Sequence, residues 1–223
     1  MPESDEKYRG CKSVSVDGEG AERMNRTGLT RHLWSHPHRT GIIVNEESKI
    51  IYMKAGKTAG TSIYRNNLGL RIDGFFNRAE DQVVFKSWIN GMTDEKLAEY
   101  FIFAFVRNPW DRFVSISAYL DVPFFDLVYN FDKVDHKSLK HHSIACSEYT
   151  HLNGKCFCDF VGRFEKLRVD FFELNMLLGL NQSVLEWSQM SHHKPYRTYY
   201  TEDMIQIVGA RYAEDVKNYG YEF

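Results

Sequence analysis

The chain has 223 residues, of which 43% are hydrophobic, and it carries a formal net charge of −2. A chain of this length can bury a sizeable hydrophobic core without needing disulfides. Its nearly balanced charge argues against a nucleic-acid-binding protein that relies on a broad basic surface.

The N-terminal residues differ in character from the rest of the chain. Residues 1–30 are polar, contain glycine and show no hydrophobic periodicity, which predicts a flexible N-terminal arm. Residues 31–223 are predicted to form a single domain, because strand-like and helix-like segments alternate along them without a repeat or a low-complexity run. This alternation predicts an α/β fold, a three-layer sandwich in which helices flank a central parallel sheet.

The first predicted strands lead into a loop with the composition of a phosphate-binding site. Apolar residues 42–44 and 50–53 flank a polar turn, which predicts a short hairpin. Residues 52–62 read YMKAGKTAGTS, and the chain then becomes apolar again, as at the start of a helix. Glycines let backbone amides turn toward an anion, and lysine supplies a point charge. The sequence therefore predicts a loop that binds a phosphate group.

This loop departs from the Walker A sequence of ATPases. Walker A requires G-x-x-x-x-G-K-[ST], and Gly56, Lys57 and Thr58 match only its last three positions. Ile51 occupies the position of the first glycine, within the apolar run. A nucleotide or small-molecule kinase on a P-loop-like fold is therefore an alternative that the loop itself disfavours.

A second strand also ends in a candidate phosphate ligand. Residues 101–106 form an unbroken apolar and aromatic run, typical of a strand buried on both faces of a parallel sheet. The run ends at Arg107, and Pro109 suits the first turn of a following helix. Ligands of open α/β sheets bind at the carboxyl ends of the strands, so Arg107 and Ser115 are candidates for a second phosphate site.

Simpler interpretations of this second motif stay open. Arg107 could instead form a structural ion pair with Asp111 or Glu165. The following helix carries three aromatic residues that we expect in the core: Trp110, Phe113 and Tyr119. The reason is that an aromatic stripe on a helix usually faces the sheet.

Four further elements complete the predicted fold. A helix is predicted over residues 93–100 with Thr93 as its cap, and residues 157–164 read as another buried strand. Residues 166–178 are predicted to be helical. Thr201, followed by two acidic residues, is predicted to cap a last helix that runs to about Asn218.

Both motifs resemble those of the sulfotransferases. Residues 57–62, KTAGTS, are similar to the 5′-phosphosulfate loop of that family, and residues 105–112, FVRNPWDR, with Ser115, are similar to its 3′-phosphate motif. The resemblance is strongest to the carbohydrate-sulfotransferase-like branch, sulfotransferase family 2, whose loop commonly has proline where this chain has Gly56, a tolerable change in a loop. It extends over residues 42–223 and implies a P-loop-NTPase-like three-layer fold.

The resemblance implies an enzyme that moves the sulfuryl group of 3′-phosphoadenosine 5′-phosphosulfate (PAPS) to a hydroxyl of a carbohydrate or other small-molecule acceptor. Transfer would be in line and would leave 3′-phosphoadenosine 5′-phosphate (PAP), without a metal. The matched positions that would bind the 5′-phosphosulfate are Lys57, Thr58, Ala59, Gly60, Thr61 and Ser62. Those that would bind the 3′-phosphate are Arg107 and Ser115. Lys57 would also neutralise charge on the bridging oxygen as the sulfur–oxygen bond breaks.

The general base is less well defined. Histidine is the usual proton acceptor near neutral pH, and His141 and His142 lie where relatives often carry a histidine before the acceptor region. Glu165 is a carboxylate alternative. A chain without a working base would be a non-catalytic PAPS- or PAP-binding relative. Lys194 and Arg197 lie in a basic, aromatic loop that either adds to the 3′-phosphate site or is simply solvated.

The remaining expectations concern the acceptor, metals and location. Residues 65–100 and 121–155 are predicted to shape the acceptor cleft. A cysteine cluster could bind zinc or form a disulfide, but its spacing is a weak signal and we predict no metal: Cys146, Cys156 and Cys158. The sequence has no long apolar run and no signal-peptide segment at its start, so we expect a cytoplasmic enzyme without a membrane anchor or a nucleic-acid partner.

Overall fold

The computed structural model describes residues 26–35, 41–65, 87–180, 185 and 193–223. The strands are β1 (Ile42–Asn45), β2 (Ile50–Met53), β3 (Phe101–Val106), β4 (His151–Leu152), β5 (Lys155–Cys156) and β6 (Phe160–Arg163). The helices are α1 (Leu29–Ser35), α2 (Gly60–Arg65), α3 (Asp94–Leu97), α4 (Pro109–Leu120), α5 (Phe124–Tyr129), α6 (Leu139–His142), α7 (Leu167–Leu177), α8 (Glu202–Arg211) and α9 (Ala213–Tyr219). None of the helices in these ranges is long and apolar enough to cross a membrane.

A four-stranded sheet of order β1-β2-β3-β6 forms the centre of the fold. Strands β2, β3 and β6 are parallel, with Met53 opposite Ala104 and Val106 opposite Arg163. Strand β1 is antiparallel to β2, because a four-residue turn joins them directly, whereas parallel strands need a longer crossover. The prediction of an α/β fold is confirmed as a mostly parallel central sheet flanked by helices, and the predicted hairpin is present.

Strand β3 is buried on both faces, as its unbroken apolar run predicts. Ile102, Ala104 and Val106 belong to a hydrophobic cluster that also contains residues of α4, α8 and α9. Phe103 and Phe105 belong to a second cluster, together with residues of α2 and α7. Helices therefore cover both faces of the sheet, and β3 lies at its centre.

Helix α4 begins where the sequence predicts. Asn108 is its N-cap, and Asn108 Oδ1 accepts hydrogen bonds from the amides of Trp110 (3.0 Å) and Asp111 (3.3 Å). Asn108 Nδ2 donates to the carbonyl of Glu222 at 3.0 Å, which attaches the C-terminal segment to this motif. The short connection from β3 to α4 fixes Arg107 at the carboxyl edge of the sheet.

The structure corrects the extent of three predicted elements. The helix predicted over residues 93–100 is confined to α3. The strand predicted over residues 157–164 is confined to β6, and the predicted last helix is divided into α8 and α9 at Tyr212, whose backbone has φ −114°. Thr201 occupies the N-cap position of α8, but its side chain makes no capping hydrogen bond. Its hydroxyl donates to the Asp203 carboxylate instead. Thr93 does cap α3, accepting from the amide of Lys96 at 3.3 Å.

Two aromatic residues of α4 lie in the core as predicted, and the third does not. Trp110 and Phe113 are buried, whereas the side chain of Tyr119 is 55% exposed. Within the predicted N-terminal arm, the structure describes residues 26–30, where the buried Arg26 donates to the carbonyls of Leu97 (3.1 Å) and Tyr100 (2.8 Å). The division into an arm and a single domain stays a prediction.

Candidate functional site

The two sequence motifs meet at one edge of the sheet. Arg107 Nη1 donates a hydrogen bond to the backbone carbonyl of Lys57 at 3.1 Å. This contact follows from the parallel pairing of β2 and β3, because the loop after β2 and the residue after β3 leave the sheet at the same edge. Two candidate anion ligands that are distant in the sequence are therefore neighbours.

The loop after β2 has a backbone conformation that is unusual for its residues. Lys57 and Ala59 both have left-handed conformations, with φ of 63° and 64°. For residues other than glycine this conformation costs about 1–2 kcal/mol each. Thr58 Oγ1 donates to the carbonyl of Ala55 at 3.0 Å and closes the loop. Left-handed residues in such turns direct backbone amides into a concave anion site, and backbone strain of this kind clusters at ligand-binding and active sites.

Lys57 lies over an aromatic ring in a partly buried position. Its Nζ is 4.0 Å from the centroid of the Tyr119 ring, a cation–π contact. Burial and, to a lesser degree, the positive charge of Arg107 lower the pKa of Lys57 to about 8. The positive charge of this ammonium group is therefore incompletely stabilised in the free protein, and a bound anion would stabilise it.

His142 packs directly against this loop. A Cβ atom on Gly56 would lie 2.9 Å from His142 Cα and 3.0 Å from its Nδ1, so position 56 has no room for a side chain. The glycine is therefore required here, whereas the sequence suggested only that a replacement of proline is tolerated. The His142 ring also contacts the exposed Tyr119 ring edge-on, with centroids 4.8 Å apart.

The electrostatics of His142 keep its imidazole neutral. Burial, followed by the charges of His141, Lys57, Lys54 and Arg112, lowers the pKa of His142 to about 3. Its Nδ1 is buried and has no hydrogen-bond partner among the described residues. His141 is adjacent, with ring centroids 5.0 Å apart, so both predicted base candidates lie in this region and His142 contacts the loop.

Arg107 is held by three contacts. Its Nε donates to Asp111 Oδ2 at 2.8 Å, so the ion pair with Asp111 that the sequence left open is present. Its guanidinium carbon lies 4.0 Å from the ring centroid of Phe164, and its Nη1 bonds the loop carbonyl described above. These contacts orient the guanidinium group and do not exclude an anion, because a guanidinium has five N–H donors.

Glu165 has structural partners. Its Oε1 accepts from the amide of Asn108 at 2.6 Å, and its Oε2 accepts from the hydroxyl of Tyr221 at 3.2 Å. The carboxylate thus supports the start of α4 and the C-terminal segment. Ser115 is buried on α4, and its role in binding a 3′-phosphate stays a prediction.

The basic residues of the late loop are exposed. The Arg197 guanidinium lies 5.0 Å from the ring centroid of Phe223, and Phe223 packs edge-on against Trp110 of the second motif at 5.7 Å. The amide of Lys194 donates to the hydroxyl of Tyr199 at 3.2 Å. The roles of Lys194 and Arg197 at the donor stay predictions, and residues 66–86 of the predicted acceptor cleft lie outside the described residues.

The sequence analysis included two further residues of this region in its motifs but gave them no role. Lys54 lies across Gly60, and Arg112 of α4 is fully buried beneath the segment that follows His142. Arg112 Nη2 donates to the carbonyl of Ile144 at 2.7 Å. The presence of two lysines in the loop could have indicated a role for Lys54. Nothing in the local sequence indicated that Arg112 is buried.

Three of the four cysteines lie within the described residues. Cys146 and Cys158 are buried, and Cys156 is half-buried. Within the described ranges, no group of three or more histidine, cysteine or acidic side chains is arranged to bind a metal ion. Burial raises the pKa of the Cys146 thiol to about 12, so this thiol is an unreactive core group.

Comparison with known protein families gives a match. The model of sulfotransferase family 2, described as the sulfotransferase family, matches residues 40–222. Neither a curated protein nor a solved structure matches the chain.

Proposed function

Since the chain belongs to the sulfotransferase family, we propose that it transfers the sulfuryl group of PAPS to a hydroxyl of a carbohydrate or other small-molecule acceptor. The observation that carries the donor assignment is the contact between Arg107 and the carbonyl of Lys57. This contact places a second cationic residue beside the predicted anion-binding loop. A nucleotide with phosphate groups at both its 5′ and 3′ positions requires two such neighbouring groups.

The residues of the site fit such a donor. The strained loop around Lys57 suits the 5′-phosphosulfate, because its lysine and its backbone amides supply positive charge. The oriented guanidinium of Arg107 suits the 3′-phosphate, which ATP lacks. The lowered pKa of Lys57 supports this assignment, since a buried ammonium without sufficient negative charge gains from a bound polyanion.

The chain's own groups can assist transfer in two ways. When bound, PAPS supplies the sulfuryl group and a phosphate leaving group. The ammonium of Lys57 stabilises negative charge that develops near the loop, the kind of electrostatic assistance that dominates group transfer to and from phosphates. The neutral imidazole of His142 accepts the proton of the acceptor hydroxyl. Positioning of the two reactants supplies a further part of the acceleration.

Calorimetric titration tests the donor assignment. Wild-type protein is titrated with PAP and, separately, with ATP plus magnesium; we expect PAP to bind without added metal and more tightly than ATP. Lys57→Ala should weaken PAP binding and abolish sulfuryl transfer from PAPS, whereas the exposed Lys155→Ala should leave both unchanged. A preference for ATP with magnesium would favour the kinase alternative and contradict the proposal.

One observation favours a second candidate, a PAP-binding protein without activity. A pKa of about 3 makes His142 a weak base in the free protein. His142→Ala separates the two candidates, because a base must lose turnover while PAP binding survives. Tight PAP binding with no transfer to any hydroxyl acceptor, in wild-type protein, would support the non-catalytic candidate. The acceptor class and the cytoplasmic location stay predictions.

A further inference from the structure

We propose that Lys54 is a second anion-binding lysine of the donor site and that Gly60 lacks a side chain so that Lys54 can lie across the loop. The inference rests on the proposed function, because the anion that we assign to Lys54 is the 5′-phosphosulfate of PAPS. It adds a residue that neither the two motifs nor the family match assigns.

The position of Lys54 is fixed from two sides. Its amide donates to the carbonyl of Gly41 at 2.9 Å, and a Cβ atom on Gly41 would lie 2.5 Å from the Lys54 carbonyl oxygen. A Cβ atom on Gly60 would lie 2.5 Å from Lys54 Cε and 2.7 Å from Lys54 Cγ. Both the backbone and the aliphatic stem of Lys54 therefore pack against glycines. A Cβ atom at position 41 would meet the backbone of Lys54, and one at position 60 would force the Lys54 stem to move.

This packing brings the Lys54 ammonium into the donor region. The charge of Lys54 contributes to the lowered pKa of His142, and so does the charge of Lys57, so both ammonium groups act on the same imidazole. Lys54 is half-buried, and burial lowers its pKa. Surface lysines extend into water instead, because removing an ammonium from solvent is costly.

The charges around the loop define the chemical class of the ligand. Lys54, Lys57 and Arg107 lie around one strained turn, and Arg107 contributes to the lowered pKa of Lys57. The Asp111 carboxylate is paired with Arg107, so the cluster retains an excess of positive charge. Such a cluster is stabilised by a ligand with more than one negative charge. A phosphosulfate meets this requirement, and lysine suits it because its ammonium acts as a mobile point charge with three donors.

The test measures nucleotide affinity in Lys54→Ala. Because the loop binds the 5′ end, PAP and adenosine 5′-phosphate should both lose affinity, by about ten-fold, the effect of one charge-assisted hydrogen bond. Arg107→Ala should affect PAP far more than adenosine 5′-phosphate. Lys54→Arg should restore most of the affinity. Lys155→Ala, an exposed lysine on β5, is the control for net charge.

A double-mutant cycle tests the part played by Gly60. Gly60→Ala places its Cβ atom against the stem of Lys54, so it should weaken PAP binding in the wild-type background. In Lys54→Ala the stem is absent, and Gly60→Ala should then cost little further affinity. Additive losses would show that Gly60 acts on the loop and not through Lys54.

The outcomes separate this inference from the proposed function. If wild-type protein fails to bind PAP, the proposed function is wrong. If wild-type protein binds PAP and a folded Lys54→Ala variant binds it within about two-fold, the inference about Lys54 is wrong and the proposed function stands. Lys54→Met keeps the stem on Gly60 without the charge, so it provides the same measurement should Lys54→Ala not fold.

Discussion

At Lys57, burial in a cationic loop links ligand binding to proton uptake. Its pKa is about 8, well below the ordinary lysine value. A bound anion favours the charged ammonium and raises this pKa. Below about pH 7 the ammonium is already charged, so PAP binding needs no proton at Lys57. Above pH 8 the free amine predominates, and binding must take up a proton.

We therefore predict that the number of protons taken up with PAP differs between wild-type protein and Lys57→Arg at pH 8.5 but not at pH 6.5. An arginine stays charged at both values. Calorimetry in two buffers of different ionisation enthalpy measures the uptake. Since Lys54 and His142 are present in both proteins, their contributions largely cancel in the difference. An equal uptake by both proteins at pH 8.5 would contradict the low pKa of Lys57.

Arg107 is the residue that distinguishes a 3′-phosphorylated nucleotide. Removing a charge-assisted hydrogen bond costs about 1.5–3 kcal/mol, so Arg107→Ala should weaken PAP binding by roughly ten-fold or more. ADP, which lacks the 3′-phosphate, should lose much less. Fluorescence or calorimetric titrations with both nucleotides measure the ratio, and the exposed Arg168→Ala serves as the matched control. Equal losses for PAP and ADP would indicate that Arg107 only supports the loop carbonyl of Lys57.

Among the elements, α6 reaches the loop only because Gly56 has no side chain. Gly56→Ala would place a Cβ atom 2.9 Å from His142 Cα, so α6 and the imidazole must move away. Misplacing a catalytic group by about 1 Å can cost 100-fold in rate, so turnover should fall by more than ten-fold. Gly91→Ala is the control, since its Cβ atom would make an ordinary contact of 3.5 Å with the Trp88 carbonyl. Steady-state kinetics with PAPS would check this, and an unchanged kcat would exclude His142 as the base.

The sequence predicts best those elements whose burial follows from their own residue types. Strand β3 is buried on both faces, so its unbroken apolar run predicts the strand from Phe101 to Val106. Since the carboxyl ends of parallel strands lie at one edge of the sheet, the positions of the loop after β2 and of Arg107 could also be predicted. The break between α8 and α9 at Tyr212 could not be predicted, because the buried Tyr212 hydroxyl bonds the carbonyl of Ser143 in another segment. The contacts of His142 with Gly56 and of Lys54 with Gly60 could not be predicted either. They depend on tertiary packing, whereas the sequence identifies these glycines only as turn formers.

For the whole molecule, a buried ion pair connects the second motif to the C-terminal helix. Arg112 of α4 and Asp215 of α9 lie 4.0 Å apart and are both fully buried. Asp215 accepts from the amides of Cys146 (2.9 Å) and Ser147 (2.7 Å), while Arg112 donates to the Ile144 carbonyl. The segment that follows α6 is thus fixed from both sides, and the position of His142 depends on two helices that are distant from each other in the sequence.

Asp215→Ala should consequently destabilise the whole fold. It leaves the Arg112 charge without its carboxylate partner and two buried amides without an acceptor, and breaking a buried pair in this way costs about 3–5 kcal/mol. Urea denaturation should therefore show a lower midpoint with a similar slope, since the surface exposed on unfolding is unchanged. Glu214→Ala, an exposed acidic residue one position earlier on the same helix, should change the free energy of unfolding by no more than about 0.5 kcal/mol. If both variants lost the same small amount, the Arg112–Asp215 pair would not be what fixes the segment after His142.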